Sequence, residues 1–137
     1  MKSSIKFETP ALNWGAQPKS GEKYTVRGQK ASLYEYNFAW ALERARLEYI
    51  FQVDFLGGRS LAGGMVVDFL VKTVPLSTPC WINGDYWHSG AAWERDKLKQ
   101  AMLYSLTSSE CNRPITFWGQ DTETKEAALA AVRRELT

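Results

Sequence analysis

The chain predicts an α/β domain, a mixed sheet flanked by helices in the order α-β-β-β-α-β-α, and three observations carry that prediction. Apolar residues recur at helical intervals in three stretches, near residues 34–45, 92–106 and 128–136. Between the first and second of these stand runs rich in β-branched and aromatic residues, separated by turn-forming glycines. The length of 137 residues, with 45% hydrophobic and 13% aromatic content, suits one sizeable core and excludes a disordered chain.

Residues 1–30 contain Pro10, Gly15, Pro18, Gly21 and Gly28 without sustained periodicity, so an N-terminal arm is expected there, with at most a short strand near Lys23 to Val26. A single domain is expected over 31–137. The arm is basic: Lys2, Lys6, Lys19, Lys23, Arg27 and Lys30 face only Glu8 and Glu22. Such an arm can follow a phosphate backbone, and a solvated terminus explains it equally well.

Ser32 has the character of an N-cap, with Glu35 at capping-box spacing, and Tyr34, Phe38, Ala41, Leu42 and Ala45 continue the helical pattern to Arg46. Strands are expected at Tyr49 to Leu56, Met65 to Lys72 and Cys80 to Asn83, arranged as a meander, with Gly57-Gly58 and Gly63-Gly64 bracketing the first connection. The next helix, Ala92 to Leu106, sets Leu98, Ala101, Met102 and Ser105 on one side and Glu94, Arg95, Lys97 and Lys99 largely on the other. Pro114 closes the loop after it, and Ile115 to Trp118 reads as a short strand. Asp121 or Thr122 caps a last helix with Ala128, Leu129, Val132 and Leu136 in a stripe. The connection from the third to the fourth strand is then a crossover through the middle helix, right-handed by rule.

Two cysteines, Cys80 and Cys111, and one histidine, His88, cannot assemble a four-ligand zinc site, so no structural zinc is expected. No signal-peptide pattern opens the chain and no apolar run approaches the roughly 20 residues that span a bilayer. A cytoplasmic, reduced protein without a membrane partner is therefore expected. The net charge of +2 does not by itself establish nucleic-acid binding. Oligomeric state is not legible.

The residue that demands an explanation is Asp68, an acid among Met65, Val66, Val67, Phe69, Leu70 and Val71. A carboxylate there is costly unless it is paired, hydrogen-bonded or holding a metal. The plain alternative is a strand-end acid, or one paired with Arg59 or Lys72. The next strand runs into Asn83-Gly84-Asp85-Tyr86-Trp87-His88, and Glu94-Arg95-Asp96 follows at the start of a helix.

Glu35 on a first helix, Val67-Asp68-Phe69 on a strand, Gly84-Asp85-Tyr86-Trp87-His88 after the next and Glu94-Arg95-Asp96 on a helix resemble the PD-(D/E)XK nuclease superfamily. Within it they resemble the very-short-patch-repair endonuclease family and related phage homing endonucleases. The resemblance covers roughly Ser32 to Asp121 and implies a restriction-endonuclease-like fold that hydrolyses DNA phosphodiesters with Mg²⁺, or Mn²⁺ in its place. It implies a nicking or structure-selective endonuclease, and a phage-encoded protein working in a host cytoplasm.

Phosphodiester hydrolysis needs a metal to neutralise developing charge, an activated water and a proton for the leaving oxygen. Asp68 is the expected anchoring ligand, and the backbone carbonyl near Ile82 or Asn83 a second oxygen. His88 is the expected general acid or base, since the ordinary imidazole pKa lies near neutrality. Glu35 would bind a metal water or orient the nucleophile, unless it serves only as the capping-box acid. Glu43, on the same helix, is a second candidate, and Asp85 a possible second acid. Arg59, Arg95, Lys97 and Lys99 are expected to hold phosphates, and Tyr86 or Trp87 to stack on an unpaired base.

The sequence departs from the family at Asn83, where the repair enzymes carry a second His, in lacking the E-x-K of the third strand, and in lacking the repair enzymes' zinc ligands. Lys97 or Lys99 would have to supply the lysine from the helix. These departures leave a second reading open: a catalytically inactive nucleic-acid-binding or virion-associated module on the same fold, with RNA as another substrate for an active one.

Overall fold

In a computed structural model of the chain, residues 24–55, 65–84 and 91–137 are described, the side chains of 91–93 excepted. The elements run β1 (Thr25–Val26), β2 (Gln29–Lys30), α1 (Leu33–Arg44), β3 (Tyr49–Phe55), β4 (Met65–Val71), β5 (Thr78–Asn83), α2 (Ala91–Thr107), β6 (Ile115–Trp118), α3 (Gly119–Thr122) and α4 (Lys125–Leu136). The molecule is α/β, with a four-stranded mixed sheet in the order β3-β4-β5-β6. β3, β4 and β5 form the antiparallel meander expected of them, and β6 joins β5 in parallel after α2.

α1 begins as its sequence requires. The Ser32 side chain accepts from the Glu35 N–H at 3.1 Å while Glu35 Oε1 accepts from the Ser32 N–H at 2.9 Å, satisfying two of the amides that a helix start leaves open. α4 is capped by Thr124, rather than by Asp121 or Thr122, because the short helix α3 takes up those residues. The buried amide of Asn37 donates to the Thr122 carbonyl at 2.9 Å, tying α1 to α3.

The main core lies between the sheet and the pair α1 and α4, where Phe38, Leu42, Ala128 and Val132 meet Tyr49, Phe51, Phe69, Val71, Cys80 and Phe117. The Phe69 ring sits 5.0 Å from Phe38 and 4.9 Å from Phe51, centroid to centroid, at tilted angles that suit aromatic quadrupoles. The described end of the expected arm belongs to this core. Residues 25–30 fold into a hairpin through Arg27 and Gly28, both at positive φ, and Val26 is fully buried.

A smaller cluster joins Leu103 of α2 to Met65, Val67, Phe55 and Trp81. This reverses the expected orientation of α2. Leu98, Met102 and Leu106 are 70%, 42% and 57% exposed, whereas Leu103 is fully buried. The helix carries two stripes at helical spacing, and the stripe of Gln100, Leu103 and Thr107 is the one turned inward, with Gln100 donating to the Thr116 hydroxyl of β6. Among the described residues, no helix is long and apolar enough to cross a membrane.

Candidate active site at a fork in the sheet

On β5, Cys80 and Ile82 pack with α1 and α4, while Trp81 packs with Leu103, as alternation along a strand demands. β4 breaks that rule. Phe69 and Val71 face the main core, yet Val67 and Met65, at the same parity, belong to the Leu103 cluster. β3 changes sides in step, with Tyr49 and Phe51 in the first cluster and Phe55 against the second. Pairing continues in one register on both sides of the change, Phe51 with Phe69 and Val53 with Val67, and passes over the pair between them, Gln52 and Asp68. Gln52 has φ +61°, a left-handed conformation inside a strand.

The same point is a fork. β4 and β5 pair from Val71 and Thr78 to Phe69 and Cys80, and beyond that pair side chains replace the backbone ladder. Asp68 Oδ2 accepts from the Ile82 N–H at 2.8 Å, and Trp81 Nε1 donates to the Val66 carbonyl at 3.0 Å. Asp68 thus reaches across to the next strand. This satisfies one carboxylate oxygen at a half-buried position. Its charge is felt at Cys80, whose thiol pKa is pushed up by burial first and by Asp68 second. Lys72, one of the two expected partners of Asp68, forms an ion pair with Glu48 at 3.2 Å.

Ile82 offers its amide to the β4 side, so in an extended strand its carbonyl lies along the same edge. Asn83, one residue on, is turned the other way and is registered with Trp118 of β6.

Glu35 serves the capping box and also reaches the fork. Its Oε1 is held by the Ser32 amide, and its Oε2 accepts from Gln52 Nε2 at 3.5 Å. The first turn of α1 is fixed there by Gly84. A methyl group at Gly84 would overlap the Tyr34 ring, and one at Gly119 would come within 2.6 Å of the Gly84 carbonyl. Glycine at the head of the Gly84-to-His88 run is therefore a packing requirement. Glu43, the alternative helix acid, is engaged elsewhere, accepting from the buried Tyr49 hydroxyl at 2.6 Å. Burial, reinforced by Glu43, raises the Tyr49 pKa, while Arg27, stacked 4.3 Å over its ring, acts the other way.

Of the expected site residues, the structure places Asp68 and Ile82 in contact where the β4–β5 ladder ends, links Glu35 to Gln52 opposite Asp68, and places Asn83 next along β5. Arg95, Lys97 and Lys99 lie exposed on α2, with Lys97 paired to Glu94 at 2.9 Å. Asp85, Tyr86, Trp87, His88 and Arg59 lie outside the described residues. Among the described residues no three His, Cys, Asp or Glu side chains come together as a metal-binding group. Asp68 and Glu35 supply two oxygen donor groups of the kind Mg²⁺ takes, alongside water and phosphate oxygens. Gln52 carries no motif in the sequence, and only the pairing register and its backbone angle single it out. Compared with known proteins, the chain matches no family model, no curated protein and no solved structure.

Proposed function

We propose that the protein is a metal-dependent endodeoxyribonuclease of restriction-endonuclease-like architecture, acting on DNA by nicking or by recognition of branched structure. The observation that carries this reading is Asp68 at the fork between β4 and β5, with the Ile82 backbone beside it and Glu35 approaching from α1 through Gln52. Asp68 would hold Mg²⁺ or Mn²⁺, with the Ile82 carbonyl better directed than that of Asn83 to join it. Bound there, the metal would supply charge neutralisation at the scissile phosphate and an acidified water. Glu35 would orient the attacking water, His88 would deliver or accept the proton, and Asp85 would be a second acid. Arg95 and Lys99 on α2 would hold flanking phosphates, Lys97 less so because Glu94 neutralises it. Arg59, Tyr86 and Trp87 would complete the DNA surface. Such an activity would suit a phage or other mobile element working in a host cytoplasm, which is what the motif resemblance suggests.

One observation favours a second reading, a nucleic-acid-binding or virion-associated module without catalysis. Both acids already have structural work, Asp68 on the Ile82 amide and Glu35 in the capping box. Cleavage of supercoiled, linear, branched and single-stranded DNA by wild type, Asp68→Asn and Asp68→Ala, each with Mg²⁺, Mn²⁺ or EDTA, separates the two. An endonuclease loses metal-dependent cutting in both variants and retains DNA binding in Asp68→Asn. Asn keeps an oxygen for the Ile82 amide, whereas Asp68→Ala orphans it and should lose about 1–3 kcal/mol of stability. Wild type that binds DNA and never cuts would leave the binding module.

A further inference from the structure

We propose that Gln52 is a positioning residue of this site, holding the Glu35 carboxylate beside Asp68; the inference rests on the endonuclease reading. Three residues other than glycine have positive φ among the described residues: Arg27, Arg46 and Gln52. Two have local causes. Arg27 lies in the β1–β2 turn beside Gly28, and Arg46 follows the Ala45 C-cap of α1, where chains commonly turn left-handed. Gln52 has neither excuse, since it stands inside β3 with paired residues on both sides.

A left-handed residue inside a strand costs free energy that glycine would avoid, and such outliers persist where the surroundings require them. Here the side chain accounts for the choice. Gln52 lies across the ladder from Asp68, at the point where both strands change faces, and its Nε2 donates to Glu35 Oε2. Glu35 Oε1 is fixed by the Ser32 amide, so Gln52 holds the second oxygen and sets the carboxylate's direction. Without Gln52, Glu35 would keep its cap and lose its orientation toward the fork. At 3.5 Å the contact is long, so the Gln52 amide directs the carboxylate rather than gripping it.

The test combines plasmid cleavage under Mg²⁺, thermal melting, and the side-chain amide resonance of Gln52 recorded without metal. Gln52→Gly removes the amide and relaxes the backbone, while Gln52→Asn keeps an amide on the side chain most tolerant of positive φ. The expected result is that neither variant melts below wild type, that Gln52→Gly loses about tenfold or more in kcat with KM little changed, and that Gln52→Asn recovers part of the loss. The Gln52 amide signal should move in Glu35→Gln and in Asp68→Asn. Wild type that cuts while Gln52→Gly cuts equally well, or an amide signal moved by neither acid variant, overturns the positioning role and leaves the endonuclease reading standing. A Gln52→Gly protein that melts lower than wild type makes the residue a packing element, and that also overturns it. Wild type that cuts nothing overturns both.

Discussion

Gly84 lies where the end of β5 passes between the Tyr34 ring and Gly119, and no side chain fits in that space. The contact fixes the first turn of α1 relative to the fork, and hence Glu35 relative to Asp68. Gly84→Ala forces the ring or the strand to move, and a loss of about 1–3 kcal/mol is expected in urea unfolding. Tyr34→Ala in the same chain should recover part of that loss, because it removes the obstructing ring. If Gly84→Ala unfolds at the wild-type midpoint, the close approach does not hold the site together. The sequence marked Gly84 only as one letter of a motif; the packing reason needed the helix against the strand.

At the level of elements, α2 and the β3–β4 pair show where local pattern stops being enough. α2 offers Leu98, Met102 and Leu106 on one stripe and Leu103 on another, and composition alone favours the longer stripe. The helix follows β5 and precedes β6, and its seat over Val67 and Trp81 accepts Leu103. Leu103→Ala should cost about 2–5 kcal/mol, as truncation of a buried leucine does, while Leu98→Ala and Leu106→Ala should stay within about 0.5 kcal/mol. Denaturant midpoints of the three variants decide the orientation, and equal losses at Leu98 and Leu103 would contradict it. The boundaries of β3, β4, β5 and β6 were legible to within two residues, the largest difference being that β5 begins at Thr78 and includes Pro79, whereas β2 was not expected. Pro79 is tolerated there because β6 begins to pair only at Cys80, so the missing N–H falls short of the ladder.

Across the whole molecule, the groups buried in the core set its response to alkali. Burial raises the pKa of Cys80 and Cys111 above the ordinary 9.0 and that of Tyr49 above 10.0. Each group holds its proton more tightly folded than unfolded, so between the two pKa values the native state carries more protons and stability falls as pH rises. The stability these groups protect is complete below about pH 8 and declines once unfolded thiols and then phenols ionise. Urea midpoints should therefore drop between about pH 8 and pH 10.5 at constant ionic strength, and less steeply in Cys80→Ala. A flat profile over that range would mean that these groups titrate alike in both states. In the native state neither cysteine should react with a thiol reagent at neutral pH, since the thiolate is suppressed at both positions.

The sequence by itself determined the α/β class, the helix starting at Ser32, the antiparallel meander, the parallel return through α2, and Asp68 as the acid needing a reason. Those are local matters, since periodicity, capping and turn chemistry act over a few residues. The tertiary structure decided which stripe of α2 is buried, that Val26 belongs to the core, that Glu43 serves Tyr49, and that Gln52, opposite Asp68 in the β3–β4 register, reaches Glu35. Each of those depends on which residues from distant parts of the chain share a face. Gln52 is the clearest case: nothing around it in sequence distinguishes it, and its place opposite Asp68 exists only once β3 and β4 pair in one register and turn over together.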